Sequence, residues 1–279
     1  MRGTLESVIG EAEISVVERI IRRVAAEDIM PRWRNLGPSD VSEKQSGDPV
    51  TAADHAAEQR LGRELAAFLP GSLIVGEEAV ATNPAILGSL ERSQPVWIID
   101  PIDGTHNYIK GSPNFSTLVS LAHNEQILAS WTFAPTTGQL AIARAGFGAR
   151  IGTEIASTSA SRSAPALPEL TVATSRPEWW TPEQRQHMAL LQGRGVRIDY
   201  MGPAGLEYLE VAAGRRTALL LYWEAVWDHA AGVLLCTEAG GAVTSADGKP
   251  FCLSGANRLP LIAAADRRTA DILHQAMTG

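Results

Sequence analysis

The acidic side chains fall into four short clusters, each at a point where a predicted strand ends or a predicted helix begins. Asp100 and Asp103 follow the apolar run VWII, and Asp228 follows the apolar run ALLLYW. The other two clusters are GEE at 76–78, after SLIV, and DPVTAAD at 48–54. Folds that mix strands and helices place ligands at such element ends. If the clusters converge, bound cations must offset their mutual repulsion.

The donor types indicate which cation this would be. Every candidate ligand is an oxygen donor, which favours a hard cation, Mg²⁺ ahead of Ca²⁺ or Mn²⁺. His106 and His229 lie beside the acidic motifs, but a hard cation does not need imidazole, so neither is predicted as a ligand. One carboxylate that bridges two cations about 3.5–4 Å apart is an arrangement used for phosphoryl hydrolysis.

The elements that must position these residues alternate between helix and strand. Before residue 157 the predicted elements are a helix whose apolar stripe runs from Leu5 through Ala12 to Val24, a helix over 51–68, strands at SLIV and VWII, and two antiparallel strands at 115–123 and 126–133 around Asn124-Glu125. A Ser-, Ala- and Pro-rich stretch at 157–169 is the predicted linker. Beyond it the predicted elements are strands at LTVAT, VRIDY, ALLLYW and LPLIAAA, helices near 181–192, 203–213 and 266–277, and a helix opening at Asp228. Two lobes are therefore predicted, at 1–156 and 168–279.

Length and composition exclude some functions. The 279 residues carry a net charge of -7, which argues against a nucleic-acid surface because phosphate binding relies on Lys and Arg. No run of about 18 apolar residues occurs, so no membrane span is expected. The N-terminal segment is amphipathic and carries acids early, unlike a secretory signal. Cys236 and Cys252 are the only cysteines, so we expect a cytoplasmic protein with both thiols buried in the core.

Three motifs in a fixed order carry a resemblance to a known family. GEE, then WIIDPIDGT, then WDHAAG with EAGG after it, resemble the inositol monophosphatase family. That family belongs to a superfamily of Mg²⁺-dependent, lithium-sensitive phosphatases, which also includes histidinol-phosphate phosphatases, bisphosphate nucleotidases and fructose bisphosphatases. The resemblance extends from DPVTAAD to GKPF, over nearly the whole chain. It implies a layered αβαβα sandwich, with an α+β first lobe and an α/β second lobe, an active site between them, and a homodimer.

The resemblance also implies a ligand set for two to three Mg²⁺ ions. Glu77, Asp100 and the main-chain carbonyl of Ile102 are expected at one ion. Asp100, Asp103 and Asp228 are expected at a second ion, with Asp100 as the bridge. A third and weaker ion is expected near Glu77, coordinated mostly by water.

Catalytic roles follow from the same resemblance. Thr105, together with Asp54, is expected to help deprotonate the attacking water, and Glu77 belongs to the predicted catalytic set. The N–H groups of Gly104 and Thr105 are expected to hold the phosphate, because a residue without Cβ lets the chain approach an anion closely. The predicted substrate contacts are Asp103, Gly104, Thr105, Ala204, Glu224 and Asp228. The implied reaction is phosphomonoester hydrolysis by metal-activated water, without a phosphoenzyme.

Two departures from the family pattern bear on the substrate. Inositol-specific members usually carry an acid about seven residues before the aspartate of the WD pair, and here that position is Leu221. The family stretch G-[ST]-A-A reads Gly202-Pro203-Ala204-Gly205, so Pro203 replaces a hydroxyl. Fewer polar contacts reduce discrimination, which predicts a modest preference for inositol 1-phosphate over esters such as glycerol 2-phosphate. Glu224 supplies part of the lost contact if the shortened loop brings it inward, and otherwise faces solvent.

Some of these residues also have structural alternatives. Thr51 with Asp54 fits a helix capping box, Asp228 fits an N-cap, and Asp48 fits a turn. Glu78 is expected only to pair with a basic neighbour.

The function has alternatives as well. Histidinol phosphate and 3′-phosphorylated nucleotides are the other substrates considered. The non-enzyme alternative is a regulatory protein on the same scaffold, for instance one that docks onto the transcription machinery. Its signature would be an eroded ligand set, whereas every ligand position here is filled.

Overall fold

Two β-sheets, one formed by each half of the chain, organise the fold. The computed structural model describes residues 9–45, 47–158 and 166–278. The elements of the first half are α1 (Glu11–Val24), β1 (Val41–Gln45), β2 (Asp48–Thr51), α2 (Ala52–Phe68), β3 (Leu73–Gly76), α3 (Glu77–Thr82), β4 (Val96–Asp103), α4 (Thr105–Ile109), β5 (Ser116–His123), β6 (Gln126–Ala134), β7 (Gln139–Arg144), β8 (Gly148–Ile151) and β9 (Glu154–Ile155).

The larger sheet has seven strands in the order β3-β4-β5-β6-β7-β8-β9. Strands β3 and β4 are parallel, and every later neighbour is antiparallel. A separate antiparallel pair, β1 and β2, precedes it. Every residue of β4 is buried, as expected for a continuous apolar strand that is covered on both faces.

The smaller sheet belongs to the second half. Its elements are β10 (Thr171–Thr174), α5 (Pro182–Gly193), β11 (Arg197–Tyr200), α6 (Ala204–Ala212), β12 (Ala218–Leu221), α7 (Val226–Glu238), β13 (Ala242–Thr244), β14 (Leu261–Ala264) and α8 (Arg267–Thr278). The strand order is β11-β10-β12-β14-β13, with β10 parallel to both of its neighbours and β14 antiparallel to both of its own.

Helices form three layers around the two sheets. Helices α1 and α2 pack together, with α2 against β4, on the outer face of the larger sheet. Helices α6 and α7 contact strands of both sheets and so lie between them, and α5 and α8 pack on the smaller sheet. This order of layers is the αβαβα sandwich that the family resemblance implies. The division into two lobes at 1–156 and 168–279 stays a prediction.

Several predicted elements are confirmed. Helix α2 begins after Thr51, whose hydroxyl accepts from the backbone of Ala53 and Asp54, so the capping box is present. Strands β5 and β6 pair as predicted. Asn124 and Glu125 between them have φ values of 50° and 61°, because a two-residue turn with left-handed residues matches the twist of a hairpin.

Other predictions need correction. The first helix begins at Glu11, its buried face is Ile14, Val17, Ile20, Ile21 and Val24, and Ala12 is exposed. Its predicted start at Leu5 lies outside the described residues, as does most of the predicted linker, 159–165. Asp48 is the first residue of β2 and pairs with Gln45, so it flanks the turn rather than forming it. Cys236 is buried as predicted, but Cys252 is partly exposed beside Ser254.

Helix α7 begins earlier than predicted. Its first residue is Val226 and its N-cap is Ala225, so Asp228 lies within the first turn. The N-cap alternative for Asp228 is therefore wrong, since its carboxylate bonds elsewhere. Among the described residues, none of the helices combines the length and the apolar composition that crossing a bilayer requires.

Candidate active site

Strand β4 delivers two aspartates through an irregularity in its pairing with β5. Asp100 lies opposite Leu118 and Asp103 opposite Ser116, so three steps along β4 match two steps along β5. The extra residue is a β-bulge, a feature that re-aims side chains next to active sites. In a regular strand, residues three apart would face opposite sides of the sheet. The bulge explains how both aspartates can serve one site.

Asp100 and Asp228 belong to a carboxylate cluster in which Asp100 and Asp103 are buried and Glu77 and Asp228 are partly buried. Burial raises the pKa of Asp100 well above its usual range, and the charges of Glu77, Asp103 and Asp228 raise it further. Burial likewise raises the pKa of Asp228, and Asp103 and Glu77 add to the shift. The structure thus brings together the four carboxylates that are predicted as metal ligands.

Lys44 provides the one cation in contact with this cluster among the described residues. Its Nζ lies 2.6 Å from Oε1 of Glu77 and 3.1 Å from Oε1 of Glu78. Burial alone would lower the pKa of Lys44, but attraction to the two glutamates outweighs it, so the pKa is raised. The basic neighbour expected for Glu78 is therefore Lys44, which also binds a predicted metal ligand. No spacing rule links Lys44 to GEE, so its sequence position does not reveal this contact.

Asp54 and Thr105 meet at the start of α4. Thr105 Oγ1 lies 3.4 Å from Oδ1 of Asp54 and donates to the Ile102 carbonyl at 3.1 Å. The backbone N–H and hydroxyl of Thr51 donate to Oδ2 of Asp54 at 2.8 and 2.5 Å. Burial raises the pKa of Asp54 to about 6, although the bonds from Thr51 oppose the shift. Asp54 thus caps α2 with one oxygen and faces Thr105 with the other, so both interpretations of Asp54 are compatible.

Asp103 joins the two halves of the chain. Its Oδ2 accepts from Ser116 Oγ at 2.8 Å and from the N–H of Gly205 at 2.8 Å. Its Oδ1 accepts from the N–H of Ala204 at 3.2 Å. A Cβ on Gly205 would lie 2.4 Å from a Leu118 methyl carbon, so only glycine lets α6 begin this close to β5. Burial raises the pKa of Asp103 to about 6, and these hydrogen bonds limit the rise.

Gly104 occupies the tight turn between β4 and α4. Its φ is 92°, in the left-handed region that favours glycine. A Cβ here would lie 2.6 Å from Cγ of Pro203, so Pro203 packs directly over the predicted phosphate-binding turn. The role of the Gly104 and Thr105 N–H groups stays a prediction.

Trp223 holds the carboxylate of Asp228, a contact that the sequence motifs do not indicate. Trp223 Nε1 donates to Oδ2 of Asp228 at 2.6 Å. His229 is fully buried, and burial lowers its pKa to about 4, so its ring is neutral. Its Nε2 donates to the Trp223 carbonyl at 2.9 Å, and its Nδ1 accepts from the Tyr208 hydroxyl at 3.1 Å.

Leu221, where the family acid is missing, and Glu224, a predicted substrate contact, lie in different surroundings. Leu221 is fully buried in the core of the second half. Glu224 is exposed, and its Oε1 accepts from the N–H of Asn257 at 2.5 Å. The solvent-facing alternative for Glu224 thus describes its position, and its contact with substrate stays a prediction.

The donor set fits a hard cation by its chemistry. The ligands are carboxylates, and Oδ1 of Asp100 is buried with no hydrogen-bond partner among the described residues. In their present arrangement, no three Asp, Glu, His or Cys side chains in the described ranges could hold a metal ion. Lys44 engages Glu77, and Thr105 engages the Ile102 carbonyl. Lys44 thus occupies one oxygen of a predicted metal ligand in this arrangement.

Comparison with known proteins assigns the chain to a family. The sequence model of the inositol monophosphatase family matches residues 11–278. The chain belongs to the inositol monophosphatase family. A Thermotoga maritima protein named fructose-1,6-bisphosphatase/inositol-1-monophosphatase is 32% identical over 233 residues, which cover 83% of this chain and 84% of that protein. The protein named Nus factor SuhB of Pseudomonas aeruginosa is 32% identical, with 81% and 83% covered.

The fold agrees with solved structures of the inositol monophosphatase family. The structure of a Thermotoga maritima IMPase superimposes with a TM-score of 0.78 at 27% identity, covering 95% of this chain and 96% of that one. Membership of the family makes the chain a phosphoric monoester hydrolase.

Proposed function

We propose that the chain is a Mg²⁺-dependent phosphomonoesterase that acts on a small polyol phosphate such as inositol 1-phosphate. The observation that carries the proposal is the cluster of Glu77, Asp100, Asp103 and Asp228, in which the charges of the other three raise the pKa of Asp100, and those of Asp103 and Glu77 raise the pKa of Asp228. A bound cation would offset the mutual repulsion of carboxylates that are held together in this way. The names of relatives such as the Thermotoga maritima enzyme support the substrate class.

The same four carboxylates would hold two to three Mg²⁺ ions, with the Ile102 carbonyl as a further donor. Bound Mg²⁺ would supply Lewis acidity and lower the pKa of a coordinated water. Asp100 would contribute to holding more than one of these ions, since the charges of both Glu77 and Asp228 act on it and raise its pKa.

Thr105 and Asp54 are proposed to receive the proton of the attacking water. A threonine hydroxyl both donates and accepts, so a proton accepted at Thr105 Oγ1 can pass to Oδ1 of Asp54. With a pKa of about 6, Asp54 is about nine-tenths ionised at pH 7 and able to take that proton. Thr51 binds the other oxygen and so fixes the direction of the carboxylate.

The substrate pocket offers few polar side chains for polyol recognition. Leu221 is buried, Pro203 covers the Gly104 turn, and Glu224 is engaged by the N–H of Asn257. We therefore propose only a modest preference for inositol 1-phosphate over glycerol 2-phosphate. The ratio of kcat/KM on inositol 1-phosphate to that on an aryl phosphate tests Glu224: an unchanged ratio in Glu224→Gln removes it from the site.

A panel of phosphomonoesters ranked by kcat/KM tests the substrate class. We expect inositol 1-phosphate to lead, with histidinol phosphate and a 3′-phosphorylated nucleotide behind it. A reversed order would assign the chain to one of those activities. If the protein hydrolyses none of these phosphomonoesters in the presence of Mg²⁺, the result would favour the regulatory alternative.

We also propose a homodimer in the cytoplasm, without membrane or nucleic-acid partners, built from lobes at 1–156 and 168–279. The support for the dimer is the family resemblance. The support for a site between the lobes is Asp103 of β4, which bonds to the first residues of α6. Light scattering of the purified protein tests the dimer.

A further inference from the structure

Trp223, in the loop before α7, makes a short hydrogen bond to Asp228, a proposed metal ligand. Its Nε1 lies 2.6 Å from Oδ2 of Asp228. An indole N–H is a donor only, so Trp223 cannot coordinate a cation and instead occupies one oxygen of the carboxylate. Trp223 lies outside the GEE, DPIDGT and WDHAAG motifs.

Trp223 is itself held by a chain of hydrogen bonds that runs into the core. Its carbonyl accepts from His229 Nε2, and His229 Nδ1 accepts from the hydroxyl of Tyr208 on α6. The indole also packs on the His229 ring, with centroids 5.3 Å apart. His229 of α7 thus contacts both the backbone carbonyl and the indole ring of Trp223, and Tyr208 of α6 holds His229 in turn.

Tyr208, at the far end of this series of hydrogen bonds, is tightly packed. Tyr208 is fully buried, and its ring fills the space at Gly232, where a Cβ would lie 2.1 Å from the ring. His229 therefore meets a tyrosine hydroxyl at one fixed place. Rigid support of this kind is what a metal ligand needs in order to keep its direction.

We propose that Trp223 is a positioning residue for Asp228. Its indole N–H occupies Oδ2 and leaves Oδ1 of Asp228 free to bind the Mg²⁺ ion. Asp228, the one proposed ligand from the second half of the chain, is thereby oriented toward the ligands of β4. The inference rests on the proposed function, since it assigns Asp228 to a cation.

The test compares two tryptophan variants by calorimetric titration with Mg²⁺ alone. Trp223→Phe keeps the ring and removes the N–H. Trp180→Phe is the matched control, because it also removes one indole hydrogen bond, to the Ser175 carbonyl at 2.8 Å. We expect Trp223→Phe to lower Mg²⁺ affinity by about 10–100-fold and Trp180→Phe to leave it unchanged. The change in indole fluorescence on Mg²⁺ addition should disappear in Trp223→Phe alone.

A second variant covers the case in which Trp223→Phe does not fold. Tyr208→Phe cuts the same chain at its far end and should lower Mg²⁺ affinity by about three- to tenfold, the effect of one hydrogen bond. Wild-type affinity in both Trp223→Phe and Tyr208→Phe would overturn this inference alone. A wild-type protein that binds no Mg²⁺ would overturn the proposed function and the inference together.

Discussion

Acidification from pH 7 to pH 5 is expected to weaken Mg²⁺ binding by about tenfold or more. Asp103 alone accounts for the tenfold loss of affinity, because burial raises its pKa to about 6 despite its hydrogen bonds. At pH 5 about nine in ten copies are protonated at this carboxyl, and Mg²⁺ must displace that proton. Asp100 and Asp228 add to the fall, since their pKa values are raised well above the usual range.

The free energy of unfolding of the metal-free protein should fall as the pH rises. A carboxyl whose pKa is raised in the folded chain lowers the free energy of unfolding as the pH rises, because the unfolded chain ionises first. Asp54 and Asp103 rise from 3.8 to about 6, which corresponds to about 3 kcal/mol each once both are ionised. Mg²⁺ offsets this loss only where the carboxylates are ionised. Mg²⁺ should therefore raise Tm by several degrees more at pH 7.5 than at pH 5.

Calorimetry in two buffers of different ionisation enthalpy measures both the affinity and the protons released. Thermal unfolding with and without Mg²⁺ at each pH supplies the stability. The comparison at fixed pH cancels the opposite contribution of His229, whose pKa is lowered to about 4 by burial. Equal Mg²⁺ affinity at pH 5 and pH 7, with no proton released at pH 5, would refute the reasoning.

Three substitutions probe other parts of the site. Asp100→Asn should abolish hydrolysis, because it weakens both ion positions together; near-normal turnover at saturating Mg²⁺ would rule out the bridging role. Thr105→Ala should lower kcat by about 10²–10⁴ while Mg²⁺ affinity by calorimetry stays intact; an equal loss of affinity would make Thr105 structural. Lys44→Met should raise Mg²⁺ affinity and lower the metal-free Tm, because Glu77 loses the cation that now neutralises it; weaker Mg²⁺ binding would assign Lys44 a supporting role.

The parts of the fold that carry their own local pattern could be predicted from sequence. Helix α2 has a capping box, and β5 and β6 flank two residues that suit a left-handed turn. Strands β7 to β9 are not predicted, because segments such as QLAIAR are rich in alanine and have low strand propensity. They form strands because β7 pairs with β6, β8 with β7 and β9 with β8.

In the candidate site too, some residues could be predicted from local sequence patterns and others could not. Asp100, Asp103, Glu77 and Asp228 could be found because acids at element ends are unusual unless they bind something. Lys44 and Trp223 could not be found, since they reach the carboxylates through tertiary contacts that no spacing rule describes.

The most direct test of the proposed function is phosphate release from inositol 1-phosphate by the purified protein at pH 7.5, with Mg²⁺ and after its removal by EDTA. We predict release with Mg²⁺, none in EDTA, and recovery when Mg²⁺ is restored. Release that continues unchanged in EDTA would contradict the metal site that the buried carboxylates are proposed to form.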